Sequence, residues 1–426
     1  MAARILLLTL LLAWASLVFW NSAKPLPPGT HIASQTSRLA ESDVDFLYES
    51  PQRTSPKEDE MAAIDRAEQL IVLDRSPVTR PLALRLMERK RARPNIKIVL
   101  VTDPGNEIFG GTPRRDLASM ERAGIIVSRV RLDRLRDSNP LYSGLWRLAV
   151  GWWSDPFDES AAKVTLPAWA RMQNFKADQR QLMVADDGSG GWIAMIAPAG
   201  GAAPVLALRG GLARSIIAAE LQIAGWSTDD DRLPPRPPME SRGVGAIDAR
   251  YLTEGAIEAA LLEDFAAAGS GDDISVAVDT FSDRRLIAAA LQAAARGARL
   301  RVLMTRNQTP NSSVAGDLNR GGAGRIEVRW HEGGAGALPK LLLVRHGNDL
   351  WLNVGSANFT RRNLEDLNLE AAVELHMPAR AAPARAADEY FGKLWAGATA
   401  NDGTAAVSTA DYWRYRFAEA TGLSSF

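Results

Sequence analysis

Three polar side chains in the second half of the chain have the chemical types that bind phosphate oxygens. Lys340 begins the stretch KLLLVRHGNDLWLNVGSANF, and Ser356 and Asn358 lie in its Gly-Ser-Ala-Asn tetrapeptide. An ammonium, a hydroxyl and an amide can together hold a phosphate group and neutralise its charge. The structural alternative is an empty, inherited pocket, in which a lysine beside the apolar Leu338 needs a carboxylate or another anion as its partner.

The stretch from Lys340 to Glu370 resembles the second half-site of the phospholipase D superfamily. There, one strand carries His-x-Lys with an aspartate five residues after the lysine, and the next strand carries Gly-Ser-x-Asn. This chain keeps the lysine and the Gly-Ser-x-Asn element, but Leu338 stands at the histidine position and Arg345 at the aspartate position. The resemblance implies that Glu370 is the carboxylate that orients the family's imidazole. Without an imidazole, we expect Glu370 to pair with Lys340.

The resemblance also implies a reaction that this chain lacks the residues to run. In the family, a histidine from one half attacks phosphorus, and a histidine from the other half protonates the leaving alcohol. The first half matches the motif in NFKADQRQLMVADD, where Gln179 and Gln181 replace histidine and lysine and Asp186 keeps the aspartate position. Pro198 and Gly200 stand where Ser-x-Asn belongs. We therefore predict that phosphohistidine catalysis is lost.

The four histidines of the chain offer few substitutes. His331 is the candidate replacement nucleophile, because the glycine-rich loop after it could fold back towards the site. His346 shares a strand face with Lys340, but it lies roughly 20 Å away if the strand is straight. His31 lies in a linker and His376 ends a strand, and neither indicates a site.

Composition limits the classes of function. The chain has 426 residues, 46% of them hydrophobic, which is enough for two folded domains. The chain has 50 Lys and Arg residues and 50 Asp and Glu residues, so it has no excess of basic charge that would indicate a nucleic-acid partner. The absence of cysteine excludes disulfides, thiol catalysis and zinc–cysteine sites. The chain also shows no metal–histidine spacing and no glycine-rich phosphate loop, so we predict no metal and no other cofactor.

The N-terminus predicts a membrane segment. Arg4 precedes the apolar run Ile5–Trp20, which is long for a signal-peptide core and short for a spanning helix. We favour an uncleaved signal anchor in the inner membrane with a periplasmic body, since positive charge stays in the cytoplasm. Secretion after cleavage of a signal peptide is the alternative. A buried core helix is disfavoured by the proline-rich linker that follows.

Apolar runs alternate with amphipathic helices in two similar series, which predicts an α/β fold. The second series includes a predicted helix from Thr253 to Ala268 before a strand from Ile274 to Asp279. We predict two phospholipase D-like halves related by a pseudo-twofold axis behind an N-terminal membrane anchor helix. The boundaries are 1–23 for the anchor or signal peptide, 40–226 for the first half, 227–240 for the linker, 241–400 for the second half and 401–426 for a C-terminal tail.

One aromatic segment invites a membrane interpretation. LYSGLWRLAVGWW (141–153) concentrates a tyrosine and three tryptophans, which suit a segment dipping into lipid headgroups. Aromatic residues at helical spacing also form ordinary cores. The overlapping stretch DRLRDSNPLYSGLWR (133–147) resembles bacterial phospholipase D-like proteins related to cardiolipin synthases.

Three functional hypotheses follow. The leading one is a catalytically degenerate protein that binds a phospholipid headgroup, the membrane surface or a partner protein, such as an active phospholipase D-like relative. The second is an active cardiolipin synthase-like phosphatidyltransferase or phosphodiesterase, which uses His331 or histidines from a partner chain. The third is a structural envelope protein that binds no phosphate.

Overall fold

A computed structural model describes residues 1–50, 55–108, 111–153, 166–197, 203–229, 231–237, 243–306, 310–334, 336–401 and 409–421. Its helices are α1 (Ala2–Ala23), α2 (Pro56–Arg66), α3 (Arg80–Ala92), α4 (Gly105–Ile108), α5 (Arg114–Arg122), α6 (Pro140–Ala149), α7 (Leu166–Met172), α8 (Leu212–Ala224), α9 (Gly255–Ala267), α10 (Arg284–Ala295), α11 (Asn311–Gly321), α12 (Arg361–Leu364), α13 (Ala382–Ala396) and α14 (Thr409–Thr421). Its strands are β1 (Ser37–Leu39), β2 (Val44–Leu47), β3 (Leu70–Asp74), β4 (Lys97–Thr102), β5 (Ile126–Arg129), β6 (Leu182–Asp186), β7 (Trp192–Ile196), β8 (Val205–Arg209), β9 (Ile247–Thr253), β10 (Asp273–Val278), β11 (Arg299–Thr305), β12 (Ile326–His331), β13 (Lys340–His346), β14 (Asp349–Gly355), β15 (Ala371–Pro378) and β16 (Thr399–Ala400).

The strands form two sheets with the same internal order. The first sheet runs β2-β8-β7-β6-β3-β4-β5, and the second runs β1-β9-β15-β14-β13-β10-β11-β12-β16. The seven central strands of the second sheet match the first sheet one for one. In both sheets, three consecutive strands are parallel, β3-β4-β5 and β10-β11-β12, and the strands on the other side pair antiparallel. The mixed α/β architecture is as predicted, and the strand order shows the internal repeat.

Buried strands and amphipathic helices form the layers. The outer face of the first sheet packs against α2, α3 and α5, and the outer face of the second sheet packs against α9, α10 and α11. Between the sheets, α8 and α13 complete a third core shared by both halves. Because both faces of such sheets are covered, the sequences of their strands are continuous apolar runs, such as IVLVT in β4. The two halves are therefore joined by a common hydrophobic core.

Strand β1, which precedes the predicted first half, pairs antiparallel with β9 of the second half. One detail differs from the sequence prediction. The helix predicted from Thr253 begins two residues later, at Gly255, because Thr253 is the last residue of β9. Glu254 makes the turn between them with a positive φ of 45°, a strained conformation that neighbouring contacts must hold.

Helix α1 is long and apolar enough to cross a membrane. It has 22 residues and a mean hydropathy of 2.1, and its most apolar window is 0% buried in the protein. Among the described residues, it is the one helix with these properties. This agrees with the expectation of an N-terminal anchor or signal segment and disfavours a buried core helix.

Candidate functional site at the seam between the halves

The two motif segments occupy equivalent places in the two sheets. Leu182 of β6 lies opposite Asp74 of β3, and Leu341 of β13 lies opposite Ala277 of β10. Gln181 directly precedes β6, and Lys340 is the first residue of β13, so both motif positions lie at the start of a strand. Pro198 and Gly200 lie outside the described residues.

The halves meet where residues 177–179 run beside residues 368–370, a contact that we call the seam. The Gln179 backbone N–H donates to the Leu369 carbonyl at 2.9 Å, and the Leu369 N–H donates to the Ala177 carbonyl at 2.9 Å. The side-chain oxygen of Asn368 accepts from the Ala177 N–H at 3.1 Å. These bonds hold the residues before β6 against the residues before β15, and so place the first-half motif beside Glu370.

Lys340 forms a buried ion pair with Asp279, a residue that sequence reasoning did not single out as a site. Its Nζ donates to Asp279 Oδ2 at 2.6 Å and to the Leu338 carbonyl at 3.1 Å, and both charged residues are about 4% exposed. Asp279 also accepts from the Leu338 N–H, the Gly336 N–H and the Thr305 hydroxyl. The expected pairing of Lys340 with Glu370 is wrong, because Asp279 supplies a carboxylate from the end of the adjacent strand.

Glu370 is held by a hydroxyl and an amide. Ser356 Oγ donates to Glu370 Oε2, and Asn363 Nδ2 donates to both Glu370 Oε1 and Gln179 Oε1. Burial raises the pKa of Glu370 to about 8, against hydrogen bonds from Ser356 and Asn363 that lower it. The carboxyl therefore stays largely protonated at neutral pH. The chain of contacts from Gln179 to Ser356 links both halves through uncharged groups.

The remaining motif residues also have partners within the protein. Leu338 is fully buried in the core shared by the halves. Gln181 donates from Nε2 to the Ser76 carbonyl at 2.6 Å and accepts from Arg75 at 3.3 Å. Asn358, half-buried, accepts from the Thr280 N–H at 3.3 Å. Lys340, Ser356 and Asn358, for which we predicted phosphate binding, therefore each have a hydrogen-bond partner within the protein.

Asp186 lies away from the seam and has a structural task. Its carboxylate accepts three backbone N–H bonds of 2.8 Å from residues 68–70, where β3 begins. Five residues of strand separate it from Gln181, which corresponds to about 16 Å. The carboxylate therefore satisfies the amides at the start of the neighbouring strand.

Arg180 lies at the centre of a buried charge cluster that sequence reasoning missed. It is 0% exposed and donates to Glu220 at 2.8 Å, to Glu254 at 2.7 Å and to the Gly29 carbonyl at 2.9 Å. Glu254, in turn, accepts from the Glu370 N–H at 3.0 Å. Arg180 therefore connects the first half to the second and to the segment that follows the anchor. Its signal in the sequence was only a charged residue between two motif positions.

Unpaired carboxylates surround this arginine. Both carboxylate oxygens of Asp74 and one of Asp178 are buried without a hydrogen-bond partner. Burial, followed by the charges of Asp178 and Glu220, raises the pKa of Asp74 well above its usual range. Burial is likewise the first cause of the raised pKa of Asp178 and of Glu254. The cluster depends on the Arg180 charge and on protonation of some of its acids.

Comparisons with known proteins agree with this architecture. The family model described as "Cardiolipin synthase, PLD-like domain" matches residues 261–395, which include β13, β14 and the seam segment before β15. Over these residues, the chain is similar to this phospholipase D-like family. No curated protein matches it.

Solved structures are similar to this chain at low sequence identity. The polyphosphate kinase of Porphyromonas gingivalis matches with 13% identity and a TM-score of 0.50, over 94% of this chain and 57% of the kinase chain. The phospholipase D family member Nuc of Salmonella typhimurium matches with 18% identity and a TM-score of 0.30, over 36% of this chain and 98% of Nuc. NucT of Helicobacter pylori matches with 13% identity and a TM-score of 0.28, over 36% of this chain and 99% of NucT.

One histidine, His31, lies closer to the candidate site than the sequence indicates. His31 lies near the seam: its Nδ1 is 2.8 Å from Asp366 Oδ1, and its backbone N–H donates to Glu254 at 2.8 Å. The linker that contains it folds against the second half, which no local pattern could indicate. His331 ends β12, and its ring lies against Gly333 of the following loop. Its proposed role as a nucleophile stays a prediction.

Proposed function

We propose that this chain is a membrane-anchored phospholipase D-like protein that no longer cleaves phosphodiesters and acts as a non-catalytic scaffold at the membrane surface. One observation carries the proposal: the two motif histidine positions are Gln179 and Leu338, and the motif lysine is neutralised by Asp279. Neither an amide nor an alkyl group can attack phosphorus. An active relative of this superfamily, or another envelope protein, is the partner that such a scaffold would hold.

The internal contacts of Lys340 and Ser356 favour a structural role for these motif residues. A phosphate bound to Lys340 would have to displace Asp279, whose carboxylate also holds two backbone amides and a hydroxyl. Ser356 is similarly engaged with Glu370. Breaking a buried, hydrogen-bonded ion pair costs several kcal/mol unless the new partner replaces every contact. We therefore place contact with phospholipid outside the seam.

Helix α1 supports membrane attachment as a retained anchor in the inner membrane, with the body in the periplasm. Its 22 residues span about 33 Å, enough for the hydrocarbon core. It also packs on α6: Trp14 Nε1 donates to the Leu141 carbonyl at 3.1 Å, and Gly144 allows close approach of Val18. A helix with specific contacts to the body favours an uncleaved anchor over a signal peptide.

Contacts with α1 place α6 beside the anchor. The Asp137 N–H donates to the Asn21 carbonyl at 3.0 Å, the Leu141 carbonyl accepts from Trp14, and Gly144 lies against Val18 and Trp14. Arg147, near the end of α6, is paired with Asp137 at 3.0 Å. Exposed large apolar residues follow on α6, α7 and the segment between them: Leu141, Leu145, Trp152, Trp153, Leu166 and Trp169. We propose that α6 and these residues lie in the outer leaflet of the bilayer.

A spin label at Leu145 is expected to be in contact with lipid. The chain has no cysteine, so Leu145→Cys gives a single labelling site. In lipid nanodiscs, the label should collide more with oxygen than with a water-soluble nickel chelate, as should a label at Leu8→Cys in α1. Leu84→Cys on α3 is the matched control; the three leucines are 61%, 59% and 45% exposed in the protein.

The three labels separate the two parts of the membrane proposal. A label at Leu145 that behaves like the one at Leu84, while Leu8 contacts lipid, would contradict insertion of α6 and leave the anchor in place. Labels at Leu8 and Leu145 that both report water would contradict the anchor itself. The loss of catalysis is tested separately, by phosphodiester turnover of the full chain, and we expect none.

A further inference from the structure

Three potential metal ligands meet at the other end of β15 from the seam. Glu374 and His376 are two residues apart on this strand and therefore point to one face, and Asp264 reaches them from α9. One ligand atom from each lies within 4.8 Å of the other two. Asp264 and Glu374 are each 2% exposed, while His376 is partly open to solvent. Six residues, about 20 Å of strand, separate His376 from Glu370.

Each of the three residues carries a buried side-chain atom without a hydrogen-bond partner. Asp264 Oδ2, Glu374 Oε1 and His376 Nε2 are all buried and unpaired. His376 Nε2 lies 3.6 Å from Glu374 Oε1 and 3.8 Å from Asp264 Oδ1. Buried polar atoms without partners are rare in proteins, and each needs a physical explanation. Glu374 Oε1 and His376 Nε2 face each other, and Asp264 brings a carboxylate oxygen within 4.8 Å of both, so a cation between them would give all three residues a partner.

We propose that Asp264, Glu374 and His376 bind a divalent transition-metal ion, with Zn²⁺ as the best fit. One imidazole and two carboxylates are ligands that Zn²⁺ accepts, and bonds of 2.0–2.2 Å at tetrahedral angles separate ligand atoms by roughly 3.4 Å. The observed separations are close to this value and too long for hydrogen bonds. The ion would tie α9 to β15, and solvent at the open side of His376 would supply the fourth ligand.

Neighbouring side chains hold the ligands in place. Arg250 Nε donates to the second oxygen of Glu374 at 2.5 Å, which leaves Oε1 free to face the site. The His376 ring stacks on Trp351 with 4.8 Å between centroids and 18° between planes. Partners of this kind orient ligands in metal sites.

The site differs from the sequence expectation of no metal, and the reason is distance along the chain. Glu374 and His376 form a pair on one strand, but the third ligand comes from a helix far earlier in the sequence. No short motif connects them. The site is also independent of the proposed loss of catalysis, because it lies outside the seam.

Metal titration of the untagged full chain in detergent tests the proposal. After removal of metal with a chelator, we expect one Co²⁺ per chain with visible absorption bands, displacement by Zn²⁺, and a higher melting temperature with Zn²⁺. His376→Ala should weaken binding at least about tenfold, since loss of even an outer partner costs 10- to 100-fold. Asp264→Asn should do the same and should fold, because the amide has the shape of the carboxylate but not its charge.

His346→Ala is the matched control. His346 stacks on the same Trp351 but pairs with Asp272, and it lies outside the ligand group. Its replacement should leave the affinity for Co²⁺ unchanged. Absence of saturable binding by the wild type would overturn the proposal. So would equal binding by the wild type, His376→Ala and Asp264→Asn.

Discussion

Replacing Arg180 with methionine is expected to lower the free energy of unfolding by about 3–5 kcal/mol, the range for removal of one partner from a buried ion pair. Arg180 is fully buried, and the change leaves Glu220 and Glu254 without their cation. Both carboxylates would have to take up protons or water in a site that accommodates neither well. Because Glu254 also holds the Glu370 N–H and the His31 N–H, the loss should spread across the seam.

Arg209→Met is the control for this experiment. Arg209 pairs with Asp45 on the surface, where both side chains are close to half exposed, so the change should cost no more than about 1 kcal/mol. Denaturant unfolding of the full chain in detergent measures both. If Arg180→Met were as stable as Arg209→Met, the buried cluster would not hold the halves together.

Replacing Lys340 with methionine is expected to cost a similar amount, about 3–5 kcal/mol, because it leaves Asp279 buried without its cation. Asp279→Asn in the same chain should recover part of this loss, since the amide carries no charge. The single and double variants together give the coupling energy between the two side chains. Unfolding in denaturant provides the measurement, with the exposed Lys393→Met, which pairs with Glu389, as control.

This second experiment separates a structural lysine from a phosphate ligand. If Lys340 serves the fold, inorganic phosphate should not stabilise the wild type against unfolding. Two results together would contradict the structural role: Lys340→Met is as stable as the wild type, and phosphate stabilises the wild type and the control variant but not Lys340→Met. It would show instead a pocket that still binds phosphate.

The α/β repeat could be predicted because it depends on local pattern. The strand predicted from Ile274 to Asp279 is β10, which spans Asp273–Val278, since a buried strand leaves a clear apolar run. The start of α9 was predicted two residues early. There, the backbone of Glu254 takes a conformation that contacts from Arg180 and His31 stabilise. Local propensity carries no information about such contacts.

The site was predictable only as far as the motif extends. Spacing placed Lys340 and Glu370 in one region, but their true partners come from elsewhere: Asp279 from the end of β10, and Asn363 from α12. Asp279 directly follows a buried strand, a signal that could have identified it. Arg180 and His31 gave no such signal, because their roles depend on the meeting of the two halves.

The central claim, loss of phosphodiester chemistry, is tested most directly by turnover of lipid. The full chain would be reconstituted in anionic phospholipid vesicles with a small alcohol as acceptor, and the products measured by mass spectrometry. We predict no phosphatidic acid, no transphosphatidylated lipid and no cardiolipin above protein-free vesicles. Product that rises with protein concentration and disappears in His331→Ala or His31→Ala would contradict the claim and identify a replacement nucleophile.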